Sequence, residues 1–365
     1  QARVKNSGAV YRCSTEDLRY HNWALNGSVS LQIDSKSDQW FGATVVSSRV
    51  DDTVIACAPR YTYFYSTFDR KEPVGTCFVA KDAFTSFREY SPCRKENRWG
   101  YHRLGFCMAG FSAAIAEVSQ TLQKNQEKLF IGAPGAWYWQ GSLITQELEG
   151  EGKVKRTGEG PANMDDTYMG YAMAAGHFKE QSINDVAVGV PKGNNLKGMV
   201  VLFDNDMKVL LNISGHQVGS YFGSSIAVTD LNGDGLDDIV IGAPLESHKE
   251  NEHDDANPTK VMYEVGKVYV YFQNRAVSQR RGNRMWSRFG HDVASVGDLN
   301  GDGFNGKCWL YFIRVFLRVA LAVSSKKSTF WQLLISIIMP YNCLCIYLEK
   351  CWLLNRDFRP IEPSS

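Results

Sequence analysis

Between Tyr221 and Pro244 the chain reads YFGSSIAVTDLNGDGLDDIVIGAP, and several of its side chains could bind a metal together. Asp230, Asn232, Asp234 and Asp238 place oxygen donors along a turn-forming run, with Gly235 where the backbone must reverse. Leu236, which has only its carbonyl to offer, completes the set. Hard oxygen donors converging on one point suit a divalent cation, and calcium fits best. An EF-hand would carry a bidentate Glu at the twelfth loop position and then a helix. Here that position is Ile241, and Asp238 runs directly into the apolar, β-branched IVIG, so the loop is expected to join two strands.

The flanks of this loop recur along the chain. FGATVV with IACAPR, GFSAAI with LFIGAP, GYAMAA with VAVGVP, and FGSSIA with IVIGAP each pair a glycine-aromatic start with an apolar strand ending near Gly-Ala-Pro. A fifth start, FGHDVASVGDLNGDGFN, has no matching end. Spacings of roughly 50 to 70 residues are too long for helical solenoids and fit propeller blades of four strands, in which each small sheet needs its neighbours to bury its faces.

These repeats, with the strings QWFGATV, CAPRY, EPVGTCFVA, SPCR, GFCMAGFS, GAWYWQGSLI and DDTYMGYAM in order, resemble the amino-terminal FG-GAP propeller of integrin α subunits. The likeness runs from about Gly8 to Asn305. It implies an all-β fold, an incomplete seven-bladed β-propeller of FG-GAP repeats with a non-homologous apolar C-terminal tail. The expected divisions are 1–34 for the end of a first blade and its connecting loop, 35–306 for the blades, and 307–365 for the tail.

The resemblance also assigns roles. It puts Trp40 near the upper cup where a β subunit docks, with Tyr171 as a second interface aromatic; filling core between blades is an alternative for Trp40, and both can hold. It puts Tyr138, after the GAP turn, in the ligand pocket at the subunit junction, while a purely structural aromatic cluster is the competing reading. Asp165 and Asp166 match an acidic position of such pockets, against the plain alternative of solvated turn carboxylates. The carboxylate expected just after GFS is missing, since the run there is Phe111, Ser112, Ala113, Ala114. A guanidinium is held best by a bidentate carboxylate, so a weaker or different ligand preference follows.

Two further loops are degenerate. Aligning GHFKEQSIND with the intact loop puts His177, Lys179 and Gln181 where Asp230, Asn232 and Asp234 stand, with Asp185 matching Asp238. No calcium is expected there, and Lys179 is expected to approach Asp185 in place of the ion. A second, incomplete site comprises Asp298, Asn300, Asp302 and Phe304, with Gly306 where the last carboxylate should be.

Of nine cysteines, five precede residue 110 and four follow residue 307. Cys57 and Cys77, and Cys93 and Cys107, are close pairs, and the resemblance implies those disulfides; Cys13 has no obvious local partner. Asn26 and Asn212 open glycosylation sequons, in keeping with a secreted history. The chain opens on Gln1 without a signal peptide, as a mature or truncated piece would.

Net charge of +1 and the lack of a polybasic run argue against nucleic acid as a partner. No GxSxG, HExxH, Walker or CxxC motif stands out, so an enzyme is not expected. The stretches GKCWLYFIRVFLRVALAV and STFWQLLISIIMPYNCLCIYL are apolar and lack the repeat marks. The second could cross a bilayer of about 30 Å but for Pro340 and Asn342; a non-homologous end from splicing or a gene boundary is the other reading. The expected function is therefore an integrin α ectodomain fragment on the extracellular face of the plasma membrane. It would pair with an integrin β subunit and an extracellular-matrix protein, with Ca2+ as structural ion and membrane contact only through the rest of the receptor. The alternatives are a propeller accessory domain of a secreted phospholipase-like enzyme, or a truncated product without function.

Overall fold

The computed structural model describes residues 4–13, 20–23, 33–48, 50–65, 70–82, 85–95, 97–121, 124–148, 154–178, 184–249, 261–273, 277–297, 306–310, 334–339 and 342–347. Four four-stranded antiparallel sheets, each a simple up-and-down meander, follow one another along the chain. Blade one comprises Thr44–Ser47, Val54–Ala58, Thr76–Lys81 and Ser86–Tyr90. Blade two comprises Ser112–Thr121, Lys124–Ala133, Ser142–Glu147 and Lys155–Arg156. Met173–Gly176, Asp185–Val190, Met199–Phe203 and Val209–Ser214 form blade three. Ser225–Thr229, Asp238–Ala243, Lys267–Tyr271 and Ser278–Arg281 form blade four.

First strands of consecutive blades touch, so each sheet is stacked on the next by its inner edge. Second strands end on apolar runs, residues 129–133, 186–190 and 239–243, because both faces are covered there, and period-two alternation sends successive side chains to different neighbours. Ile131 and Ile144 pack toward blade one, whereas Phe130 and Leu143 join Val186, Val188 and Phe203 of blade three. Ala187, Val200 and Leu202 then pack with Ile239 and Ile241 of blade four. No sheet buries both faces alone, which is why the repeat must be repeated.

Repeat glycines set the close approach between sheets. A Cβ on Gly132, Gly189 or Gly242, in the second strands of blades two to four, would overlap the carbonyl oxygen of Gly170, Gly223 or Gly290 at the start of the next repeat. Hydroxyls fasten the same seam: Thr44 Oγ1 donates to Phe111 O at 3.0 Å, Ser112 Oγ to Gly170 O at 2.7 Å and Ser225 Oγ to Gly290 O at 2.9 Å. Gly189→Ala must therefore push two backbones apart, and a loss of about 3 kcal/mol is expected. Denaturant unfolding checks this; a loss under about 0.5 kcal/mol would mean the seam is softer than its geometry.

The sequence marks end each repeat too early. The fourth strands Ser86–Tyr90, Lys155–Arg156, Val209–Ser214 and Ser278–Arg281 lie beyond or at the edge of the apolar pattern, because they form the mostly exposed outer rim. Before blade one, Val10–Cys13 pairs with Tyr20–Trp23. After blade four, Asp292–Gly297 pairs with Gly306–Leu310, so the boundary drawn at residue 307 falls inside a strand. A hairpin of Leu334–Met339 and Asn342–Tyr347 follows. Disulfides join Cys57 to Cys77 and Cys93 to Cys107. Among the described residues no helix is long and apolar enough to cross a membrane.

Candidate functional site

In such a meander the loops after first and third strands share one end of the sheet stack, here called lower, and those after second and fourth strands share the other, upper, end. The acidic loop 230–237 joins the first and second strands of blade four and is therefore at the lower end. Its apolar flanks pair in register, Thr229 with Asp238 and Val228 with Ile239, so the loop is closed at its neck.

The side chains turn inward onto the loop backbone. Asp230 Oδ1 accepts from Asn232 N at 3.2 Å and Gly233 N at 2.7 Å, and its Oδ2 from Gly235 N at 2.9 Å. Asn232 Oδ1 accepts from Asp234 N at 3.0 Å, and Asp234 Oδ1 from Leu236 N at 3.0 Å. Asp238 is fully buried and accepts from Leu231 N at 2.9 Å and Gln273 N at 3.3 Å. Burial pushes the Asp238 carboxyl from its ordinary 3.8 up to about 6, against the pull of those two amides and with the charges of Asp234 and Asp230 adding to the rise.

A buried carboxylate facing two more in the same loop favours a cation among them. Three carboxylates, an amide oxygen and a main-chain carbonyl are all hard donors, so the residues fit calcium. Among the described residues no three His, Cys, Asp or Glu side chains stand assembled as a metal cluster. Holding an ion requires Asp230 and Asp234 to turn from the loop amides toward its centre. Asp298, Asn300, Asp302 and Phe304 lie outside the described residues, as do Asn26, Lys179 and Gln181. Asp185, the counterpart of Asp238 in blade three, is buried.

The remaining sequence-predicted residues gather at the upper end. Trp137, Tyr138 and Trp139 form three consecutive left-handed residues, with φ of 52°, 54° and 59°. Each such non-glycine conformation costs about 1 kcal/mol, so neighbouring bonds must impose it. Trp137 N donates to Arg103 O and Tyr138 N to Tyr101 O, both at 2.8 Å, while Tyr138 O accepts from Asp166 N at 3.1 Å. Tyr138 is thus brought beside Asp166, and both are exposed. Asp165 differs: its Oδ1 accepts from Gln140 Nε2 at 2.7 Å, which gives it a bracing role.

Trp40 is 42% exposed, with the Arg60 guanidinium 4.8 Å over its ring, so it is not simply core filling. Tyr171 lies 4.8 Å from Phe111 and 5.4 Å from Tyr221 between ring centroids, in a file of aromatics that crosses three repeat starts. Trp40, Met108, Tyr168, Tyr221 and Arg288, each two residues before a repeat glycine, all have positive φ. Their shared conformation follows from bonds to the preceding repeat, for example Tyr168 N to Trp139 O at 3.0 Å and Arg288 N to Glu264 O at 2.9 Å.

Apart from Trp40, sequence reasoning missed this set, and also Tyr101 and His102. The loop closed by Cys93 and Cys107 puts the Tyr101 ring 5.4 Å from Tyr138 and the His102 ring 6.5 Å from it. Glu72 holds the loop by accepting from Gly100 N at 2.9 Å and 3.1 Å. The available signal was the loop's aromatic content, Trp99, Tyr101 and His102, close to a second aromatic run.

The FG-GAP repeat family matches residues 222–271, the first three strands of blade four with the acidic loop. Integrin alpha pat-2 of Caenorhabditis elegans is 41% identical over 324 residues, covering 83% of this chain and 26% of that protein. Integrin alpha-PS2 of Drosophila melanogaster is 38% identical over 83% of this chain and 24% of its own length. For integrin alpha-5 of Xenopus laevis the values are 41%, 84% and 30%. The chain thus spans about a quarter to three tenths of the length of these relatives. Among solved structures, a glycoside hydrolase family 43 arabinoxylan arabinofuranohydrolase from Bacillus subtilis gives a TM-score of 0.38 at 11% identity over 75% of this chain and 59% of that one, too loose a match to bear on fold or activity.

Proposed function

These repeats belong to the amino-terminal FG-GAP region of the integrin α family, and from that premise we propose that the chain serves cell adhesion, pairing with a β subunit and helping to select an extracellular-matrix protein. The observation that carries the reading is the division of labour between the two ends. Tyr138 and Asp166 stand together on the upper end, on the same side as Trp40 and Tyr171, while the acidic loop 230–237 is on the lower end. Recognition and cation binding are thereby kept apart, and the ion acts as a stiffener rather than a ligand bridge.

In this reading the exposed Trp40 and the half-buried Tyr171 present aromatic surface to the β subunit, because rings held on a rigid frame lose little entropy on docking. Tyr138 and Asp166 contact the matrix ligand, and Asp165 holds Gln140 and so the turn that carries Tyr138. Calcium would be held by Asp230, Asn232, Asp234, the Leu236 carbonyl and Asp238, neutralising the loop and stabilising the folded form in proportion to its occupancy. Asn212, exposed on the outer strand of blade three, offers a glycan acceptor, in keeping with an extracellular chain.

Co-expression with candidate β subunits, followed by pull-down with and without calcium, tests this. Capture of one β subunit is expected, with Trp40→Ala reducing it at least tenfold as a hot-spot aromatic would. Tyr138→Ala is expected to leave pairing intact and weaken matrix binding by a similar factor. No pairing with any β subunit, or equal loss of pairing in both variants, overturns the assignment.

A further inference from the structure

Asp237 sits between two of the proposed calcium ligands, Leu236 and Asp238, yet its carboxylate is turned away from the loop. It crosses to blade three, where Oδ2 accepts from His177 N at 2.8 Å and lies 3.5 Å from His177 Nδ1. Asp237 N returns the bond, donating to His177 O at 3.2 Å. Gln273, just past the third strand of blade four, closes the circuit. Its Nε2 donates to His177 O at 2.9 Å and to Asp237 O at 2.8 Å, while its backbone N donates to Asp238 Oδ1 at 3.3 Å.

The preceding seam supplies an internal comparison. Asn184 stands before Asp185 as Asp237 stands before Asp238, and Asn184 N donates to Glu117 O of blade two at 2.9 Å. The single backbone bond between blades is thus a property of the repeat. Reciprocation by a carboxylate and a bridging amide is seen at the blade that carries the intact acidic loop. Gly176, next to His177, leaves room for it, since a Cβ there would press on Asp237 and Val228.

We propose that Asp237 and Gln273 are positioning residues that tie the calcium loop of blade four to blade three, so that ion binding and docking of the two blades reinforce each other. The physical basis is that Asp238, a calcium ligand, and His177, on the neighbouring sheet, share one hydrogen-bonding partner in Gln273. Ordering the ligand therefore orders the latch, and a formed latch presents the ligand in place. Partners behind metal ligands commonly set affinity in this way. The inference rests on the calcium reading given above.

The test uses the full chain with calcium and, as a luminescent stand-in, terbium. Asp237→Ala and Gln273→Ala are each expected to weaken calcium affinity about tenfold, although neither supplies a ligand atom to the ion. In the unmodified protein, added calcium is expected to slow hydrogen exchange at the His177 amide in blade three as well as within 230–238. Affinity within twofold of the unmodified protein in both variants, or protection confined to 230–238, overturns the latch. Failure of the calcium reading itself looks different: the unmodified protein would then take up no calcium or terbium, with Asp238→Ala indistinguishable from it.

Discussion

Replacing Cys57 and Cys77 together by alanine is expected to lower unfolding stability by about 3 to 5 kcal/mol. Both cysteines are fully buried and directly opposite each other on the second and third strands. The bridge closes a loop across a sequence separation of 20, which constrains the unfolded chain by about 3 kcal/mol in the chain-entropy view. A packing share is added to this. Cys57 occupies the second-strand position that is Gly132, Gly189 and Gly242 in the other blades, and the start glycine it faces, Gly110, lies against both cysteine side chains. The disulfide therefore fills the seam between blades one and two, and alanines leave part of it empty. A drop in midpoint of roughly 5 to 10 °C in thermal unfolding is the readout. A change below about 1 kcal/mol would mean that the seam closes without the bridge.

The strand-loop-strand setting of Asp230 to Asp238 was legible because two signals agree there: donor spacing in the loop and an uninterrupted apolar run after it. The upper end was less so. Asp165 and Asp166 are indistinguishable in sequence, and only the Gln140 amide, reached through the fold, separates a bracing carboxylate from an exposed one. Left-handed Trp137 to Trp139 could not be read either, since their conformation is imposed by acceptors at Tyr101 and Arg103 on a distant loop. Outer strands were lost for a simpler reason. Ser278–Arg281 and Lys155–Arg156 bury little, so no apolar period marks where the fourth strand of each blade lies. Asp237 was passed over because it reads as one more acid in an acidic run, whereas its direction is set by His177 of another blade.

At Asp238 charge and fold conflict, and its removal is the second large effect expected. In metal-free protein its carboxyl titrates near 6 rather than 3.8, chiefly because it is buried. The folded form then holds the proton more tightly than the unfolded chain, so the stability from this group is full below about pH 4. It is lost as pH rises through 6, by about 3 kcal/mol in all. Metal-free protein should accordingly be more stable at pH 5 than at pH 7 through this group. Calcium competes with that proton, so the rise in midpoint on adding calcium should be larger at pH 7.5 than at pH 5. Asp238→Asn separates the two effects: a neutral amide oxygen still accepts from Leu231 N, while no charge is trapped. The variant should match or exceed the unmodified protein at pH 7 without calcium, lose the pH 5 to 7 slope, and gain almost nothing when calcium is added. Thermal unfolding in chelator and in millimolar calcium at both pH values decides it. If Asp238→Asn keeps the full calcium response, the buried carboxylate is not a ligand; if metal-free protein shows no slope between pH 5 and 7, its charge is already compensated within the fold.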